Sequence, residues 1–366
     1  MITRIAYGTL ALLLLFALFA ADVRIAQALA VDVRIARAPD DERPDASRWW
    51  DGHIGDLLRR GSVIPACYLV VLLAAATETR RLFCARSIHP HMGLAYVVTA
   101  ALILAPWLSA AGWLGGGILP GRTHYWQAVI LVAAVLGTAV SAIRRGDTST
   151  TIRDVGATWI IILYLGVLGS LGVQLRCETG GLRWEGAWLL LITIVVTKSA
   201  DIGGYFAGSF FGRHRLAPAI SPGKTVEGAI GGLLMSAFVA VGFAWAGGML
   251  NARTAHYVID TDAHPNSVQR VVGASRGLDV LGDVTSAFAR SASEWLPSPI
   301  IAALVFGLLI SASGQIGDLF ESSFKRDAHL KDSGSVIPSF GGILDLVDSP
   351  LTAVPVAWFL FSLVLG

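Results

Sequence analysis

Residues Gly317–Ser349 read GDLFESSFKRDAHLKDSGSVIPSFGGILDLVDS, and an apolar run lies directly on either side. Lys325, Arg326, His329 and Lys331 stand among Asp318, Glu321, Asp327, Asp332, Asp345 and Asp348, with glycine breaks at Gly334 and at Gly341-Gly342. Charge set against membrane-grade apolar sequence is costly and is usually kept for a task. The cations suit phosphate oxygens. The carboxylates suit a hard cation such as Mg²⁺, which takes oxygen ligands and shares them with substrate phosphates. A loop that only orients the protein would need cations. It would not account for Asp318 at the end of one apolar run, or for Asp345 and Asp348 just ahead of the next.

Working outward, apolar runs fall near Ile5–Ala21, Ser62–Ala76, Met92–Gly112, Tyr125–Ile143, Gly156–Leu175, Ala187–Gly208, Ala229–Leu250, Pro299–Gly317 and Pro350–Leu365. Each is near the ~20 residues that a helix needs to cross a bilayer. The expected fold is therefore an all-α polytopic membrane protein of about nine transmembrane helices. Residues 1–21 form the first helix and 22–61 a polar loop. Residues 62–186 hold helices two to five. Residues 187–366 form a catalytic region with an extracytoplasmic insertion at 251–297. Composition agrees: 54% of the 366 residues are hydrophobic and 15% charged, where soluble domains carry about 25% charged residues. A net charge of +2 is too small for a nucleic-acid surface. Cys67, Cys84 and Cys177 show neither disulfide nor zinc spacing.

Short-loop cations set orientation. Arg80, Arg81 and Arg86, then Arg144, Arg145 and Arg153, then Arg213, Arg215 and Lys224, then Lys325, Arg326 and Lys331 follow the even-numbered runs. Those loops are expected on the cytoplasmic side, although the arginine-rich loop Asp22–Gly61 dissents.

Two further groups carry candidate chemistry. Lys198 and Asp201 lie three apart inside an apolar run, so a helix puts them on one face, as an internal ion pair or as part of a site. Arg213, His214, Arg215 and Lys224 follow, with a rigid turn expected at Ser221-Pro222 and close backbone approach at Gly223. Gly223-Lys224-Thr225 is not a P-loop: Pro218 stands where that motif needs glycine. Asp345 and Asp348 share a side if helical, and Ser349-Pro350 then serves as N-cap and first residue of the last helix.

On these residues the chain resembles a known family. Ser322–Ser349, SSFKRDAHLKDSGSVIPSFGGILDLVDS, is similar to the signature of the phosphatidate cytidylyltransferases, or CDP-diacylglycerol synthases. Gln315–Glu321 and Asp201–Gly232 resemble the family's two other characteristic segments. Two positions depart: Phe340 stands where the family usually has His, and Leu346 where it usually has Arg. The resemblance implies transfer of CMP from CTP to phosphatidate, giving CDP-diacylglycerol and pyrophosphate in a bacterial-type inner membrane. It implies Mg²⁺, with a second cation admissible, on Asp318, Asp345 and Asp348. Lys325, Arg326, Lys331 and Asp332 would be catalytic. Arg213, Ser221, Lys224, Gly341 and Gly342 would bind substrate. Expected partners are CTP, phosphatidate, membrane lipid and a second copy of the chain as a homodimer, with no nucleic acid. A CTP-dependent lipid-alcohol kinase is the nearest alternative. An ion-coupled transporter is the alternative from another class, but no repeat of the first half appears in the second.

Overall fold

The computed structural model describes residues 16–24, 61–114, 123–177, 185–254, 298–334 and 341–365. Among these, eight helical spans are long and apolar enough to cross a membrane. They are α1 (Val63–Ala85), α2 (Met92–Ala110), α3 (Thr123–Arg145), the composite of α4 (Thr151–Ile161) and α5 (Leu168–Cys177), α6 (Glu185–Phe211), α7 (Val226–Thr254), α8 (Pro299–Asp327) and α9 (Leu344–Leu365). A π-helical turn, Ile162–Val167, joins α4 to α5. The expected first helix lies outside the described residues except for 16–21, which belong to a helical segment over 16–24. The insertion lies outside them too, save that 251–254 continue α7.

Three boundaries differ from the sequence expectation. Helix α8 runs ten residues past its apolar run, to Asp327, so Lys325 and Arg326 are helical rather than in a loop, and Asp318 lies within the helix rather than at its end. Ser298 caps its start, accepting from the backbone N–H of Ile300 at 3.2 Å. Helix α9 starts at Leu344, which puts Pro350 inside it and removes Ser349 as N-cap. Its first turn is satisfied from elsewhere in the chain. Finally, Ser221–Thr225 is a strand and not a turn: it is β2, antiparallel to β1 (Arg215–Ala217).

Lipid is as apolar as leucine, so close packing holds such helices together more than the hydrophobic effect does. Helix α9 stands at the centre of that packing. Ala353, Val354, Ala357 and Phe361 join a core with Leu190, Val196, Phe306 and Ile310. Leu344 and Leu351 join a second core with Leu72, Leu102, Ile161 and Leu165. Helices α6 and α7 touch backbone to backbone. A Cβ on Gly228 would lie 2.9 Å from the Gly204 carbonyl, and one on Gly231 would lie 2.9 Å from that of Gly203.

Polar ties gather the helix ends into two groups. At one end Arg145 joins Asp154 at 2.7 Å and the His89 carbonyl at 2.7 Å, linking α3, α4 and the loop before α2. At the same end Arg86 reaches His329 Nε2 at 3.0 Å and Asp327 at 3.5 Å, linking α1 to α8. At the opposite end Arg176 and Asp22 form a buried pair at 2.7 Å. Asp22 also accepts from the N–H groups of Val63 at 3.0 Å and Ile64 at 3.2 Å, closing the start of α1.

Candidate active site

The site begins with the helical spacing of α8. Asp318, Glu321, Ser322 and Lys325 fall at i, i+3, i+4 and i+7, and therefore on one face. That face meets the first turns of α9. Carboxylate oxygens of Asp318, Glu321 and Asp348 lie within 4.8 Å of one another. Glu321 and Asp348 are buried, and Asp318 is half-buried. Neither oxygen of Glu321 has a hydrogen-bond partner among the described residues; its close contact is an ion pair with Lys325. Asp348 Oδ1 accepts from the Ser349 hydroxyl at 3.2 Å. Lys198 and Asp201, an i,i+3 pair at 3.5 Å on α6, stand close enough for their charges to act on Asp348.

Asp345 sits one turn before Asp348 and has different neighbours. Its Oδ1 receives the Lys325 ammonium at 2.6 Å. Its Oδ2 receives Gly342 N–H at 2.7 Å, Ser333 Oγ at 2.8 Å and Ser333 N–H at 3.2 Å. The sequence grouped Asp345 with Asp318 and Asp348. In the structure Glu321 converges with those two, and Asp345 holds the lysine and the loop. Gly341 has φ +94°, and a Cβ there would press on the Asp345 carboxylate. One on Gly342 would strike Ser333 and Glu78.

Sequence reasoning missed Glu78. This buried carboxylate on α1 accepts from the N–H groups of Ile343 at 3.0 Å and Leu344 at 2.8 Å, and from Ser333 Oγ at 3.2 Å. It supplies the N-terminal cap that α9 lacks locally. Ser333 is thereby shared between Glu78 and Asp345. One turn of α1 thus fixes both the glycine pair and the first carboxylate of α9.

The β1–β2 hairpin contributes Lys224, whose ammonium pairs with Asp318. Glu227, at the start of α7, gathers the N–H of Arg213 at 3.1 Å and the His214 ring at 2.7 Å, and so anchors the hairpin's entry. Arg326 donates to the Ile220 carbonyl at 3.1 Å and to the Leu330 carbonyl at 3.1 Å, which ties the hairpin tip to the end of α8. Arg213, Lys331 and Asp332 are exposed around this end, and Ser221 is half-buried within β2.

Formal charge tests whether a metal suits the site. Asp318, Glu321, Asp345 and Asp348 bring four negative charges against two positive charges on Lys224 and Lys325. The remainder matches one divalent cation. Two oxygens on one Mg²⁺ stand at most about 4.2 Å apart, given ligand distances near 2.1 Å. The observed spread of up to 4.8 Å closes with small side-chain adjustments. An all-oxygen, carboxylate-rich donor set in half-buried surroundings therefore fits a hard divalent ion.

The fold and the site together define an intramembrane carboxylate–lysine centre opening at one end of a helical bundle. The comparisons with known proteins then give its kinship: the chain belongs to the cytidylyltransferase family, whose pattern it matches over residues 57–364. It is 31% identical over 213 residues to the phosphatidate cytidylyltransferase of Bacillus subtilis (strain 168), a match covering 58% of this chain and 60% of that protein. Proteins of the same name in Chlamydia muridarum (34% over 174 residues, 47% of this chain and 43% of that one) and Haemophilus influenzae (31% over 199 residues, 54% of each) are also similar. The matched stretch thus spans 43% to 60% of these relatives' own lengths.

Proposed function

We propose that this protein transfers CMP from CTP to phosphatidate, forming CDP-diacylglycerol and pyrophosphate. The observation that carries the reading is the convergence of Asp318, Glu321 and Asp348 beside Lys224 and Lys325 at one end of the bundle. A phosphate oxygen of phosphatidate bonds to the α-phosphorus of CTP, and the bond from that phosphorus to the bridging oxygen of pyrophosphate breaks. The nucleophile is already anionic, so no side chain need remove a proton from it. What the transfer demands is alignment and charge neutralisation.

Asp318, Glu321 and Asp348 would hold the Mg²⁺, which supplies electrostatic stabilisation to phosphate oxygens when bound. Lys224 and Lys325 neutralise the anionic substrates. The Lys224 ammonium, now on Asp318, sits on a hairpin strand and is free to turn to a phosphate. Asp345 keeps Lys325 aimed at the site. Lys331 and Arg213 offer further positive charge where CTP arrives from water, on the cytoplasmic side by the loop-cation argument. Phosphatidate enters sideways from the same leaflet.

The test is reconstitution in vesicles with labelled CTP, phosphatidate and Mg²⁺. CDP-lipid and pyrophosphate are the expected products. Formation of CDP with a newly phosphorylated lipid alcohol would replace the reading with a CTP-dependent kinase.

A further inference from the structure

Tyr164 belongs to the π-helical turn at Ile162–Val167, midway along the fourth span. A π-turn is rare within an α-helix and is frequently found at functional sites. Here it carries Tyr164, whose ring packs against α8. The Tyr164 ring meets Phe320 edge-on, with centroids 5.3 Å apart. The phenol is close enough to Asp348, Glu321 and Asp318 for all three charges to act on it.

The residue is 6% exposed, and its hydroxyl is closed to solvent without a hydrogen-bond partner among the described residues. Buried hydroxyls are normally paired, and leaving one unpaired costs free energy. Bulk water does not reach this one. Counting helical rise from the helix ends, Asp318 lies roughly 14 Å and Tyr164 roughly 20 Å in from the same end of the bundle. The phenol therefore lies about one helical turn deeper than Asp318.

We infer that Tyr164 is a further substrate-contacting residue of this site, its hydroxyl donating a hydrogen bond to a phosphoryl oxygen brought in over the carboxylate trio. The inference rests on the reading of the site as a phosphoryl-binding centre. That oxygen can belong to the nucleotide or to the lipid headgroup, which share this chemistry.

The test is Tyr164→Phe, which removes the hydroxyl and keeps the ring. Its melting temperature without ligands should equal or exceed that of the wild type, because an unpaired buried hydroxyl is gone. In vesicles kcat should fall by about a hundredfold, the scale for losing one donor to transition-state charge. A raised KM for CTP would assign the oxygen to the nucleotide, and a raised KM for phosphatidate would assign it to the lipid. The rise in melting temperature given by Mg²⁺ with pyrophosphate should be smaller than in the wild type. Unchanged kcat and KM values, or a lowered melting temperature without ligands, would overturn the role of Tyr164. A wild type that makes no CDP-lipid would instead sink the proposed reaction, and the pyrophosphate arm would still decide whether Tyr164 meets phosphate.

Discussion

The carboxylate of Glu78 receives the backbone N–H of Leu344 at 2.8 Å, across 266 residues of chain. It makes α1 the cap of α9, and through Ser333 it joins the network of Asp345. Glu78→Ala would leave the N–H groups of Ile343 and Leu344 buried without that acceptor. Hydrogen bonds to charged groups contribute about 1.5–3 kcal/mol, so a lowered melting temperature is expected in detergent. Glu78→Gln keeps one acceptor oxygen and should recover part of the loss. Equal stability of the alanine variant and the wild type would show that the cap is dispensable.

The trio and Asp345 should separate by their response to Mg²⁺. Asp318→Asn, Glu321→Gln and Asp348→Asn are each expected to abolish turnover or to raise the Mg²⁺ concentration needed for half-maximal activity. Asp345→Asn should lower kcat through misplacement of Lys325, with little change in that concentration. Titrating Mg²⁺ across the four variants checks this. Loss of Mg²⁺ response in Asp345→Asn alone would return that residue to the metal.

At the far end, the Asp22–Arg176 pair is fully buried. Removing one partner of such a pair costs about 3–5 kcal/mol, because the other charge is stranded. Asp22→Ala should therefore melt early, by thermal unfolding in detergent. Whatever fraction stays folded should keep its kcat, since the pair lies at the opposite end from the carboxylates.

His91 offers a pH handle outside the spans. Burial and then the charge of Arg145 hold its imidazole below the usual range, with Asp154 pulling the other way. The folded protein thus favours neutral His91. The sign follows: its contribution is complete above the unfolded value of about 6.5, and is lost as pH falls through the lower folded value. A melting temperature that falls from about pH 6.5 downward, with a shallower fall in His91→Gln, is the expected result. An identical acid limb in the variant would remove His91 from the account.

Much of this was legible beforehand. The eight spans coincide with eight apolar runs, because bilayer-length hydrophobic stretches announce themselves one at a time. Lys224, Lys325 and the glycine pair were singled out from local sequence, and all gather at one end of the bundle. Local sequence assigns Glu321 no role, although its spacing from Asp318 and Lys325 puts it on their helical face. The apolar count ended at Gly317 and hid the helix that continues beyond. Glu78 carries no such local signal. It is one acid just past an apolar run, and its partners lie across the whole chain. The hairpin was missed because strands as short as β1 and β2 show too few residues for alternation to register.

Helix α9 packs into both apolar cores while its first turns carry Asp345 and Asp348. Neither half of the bundle can therefore loosen while leaving the chemistry intact. Heating should remove activity and helical packing in a single step, with no long-lived state that is inactive yet fully assembled.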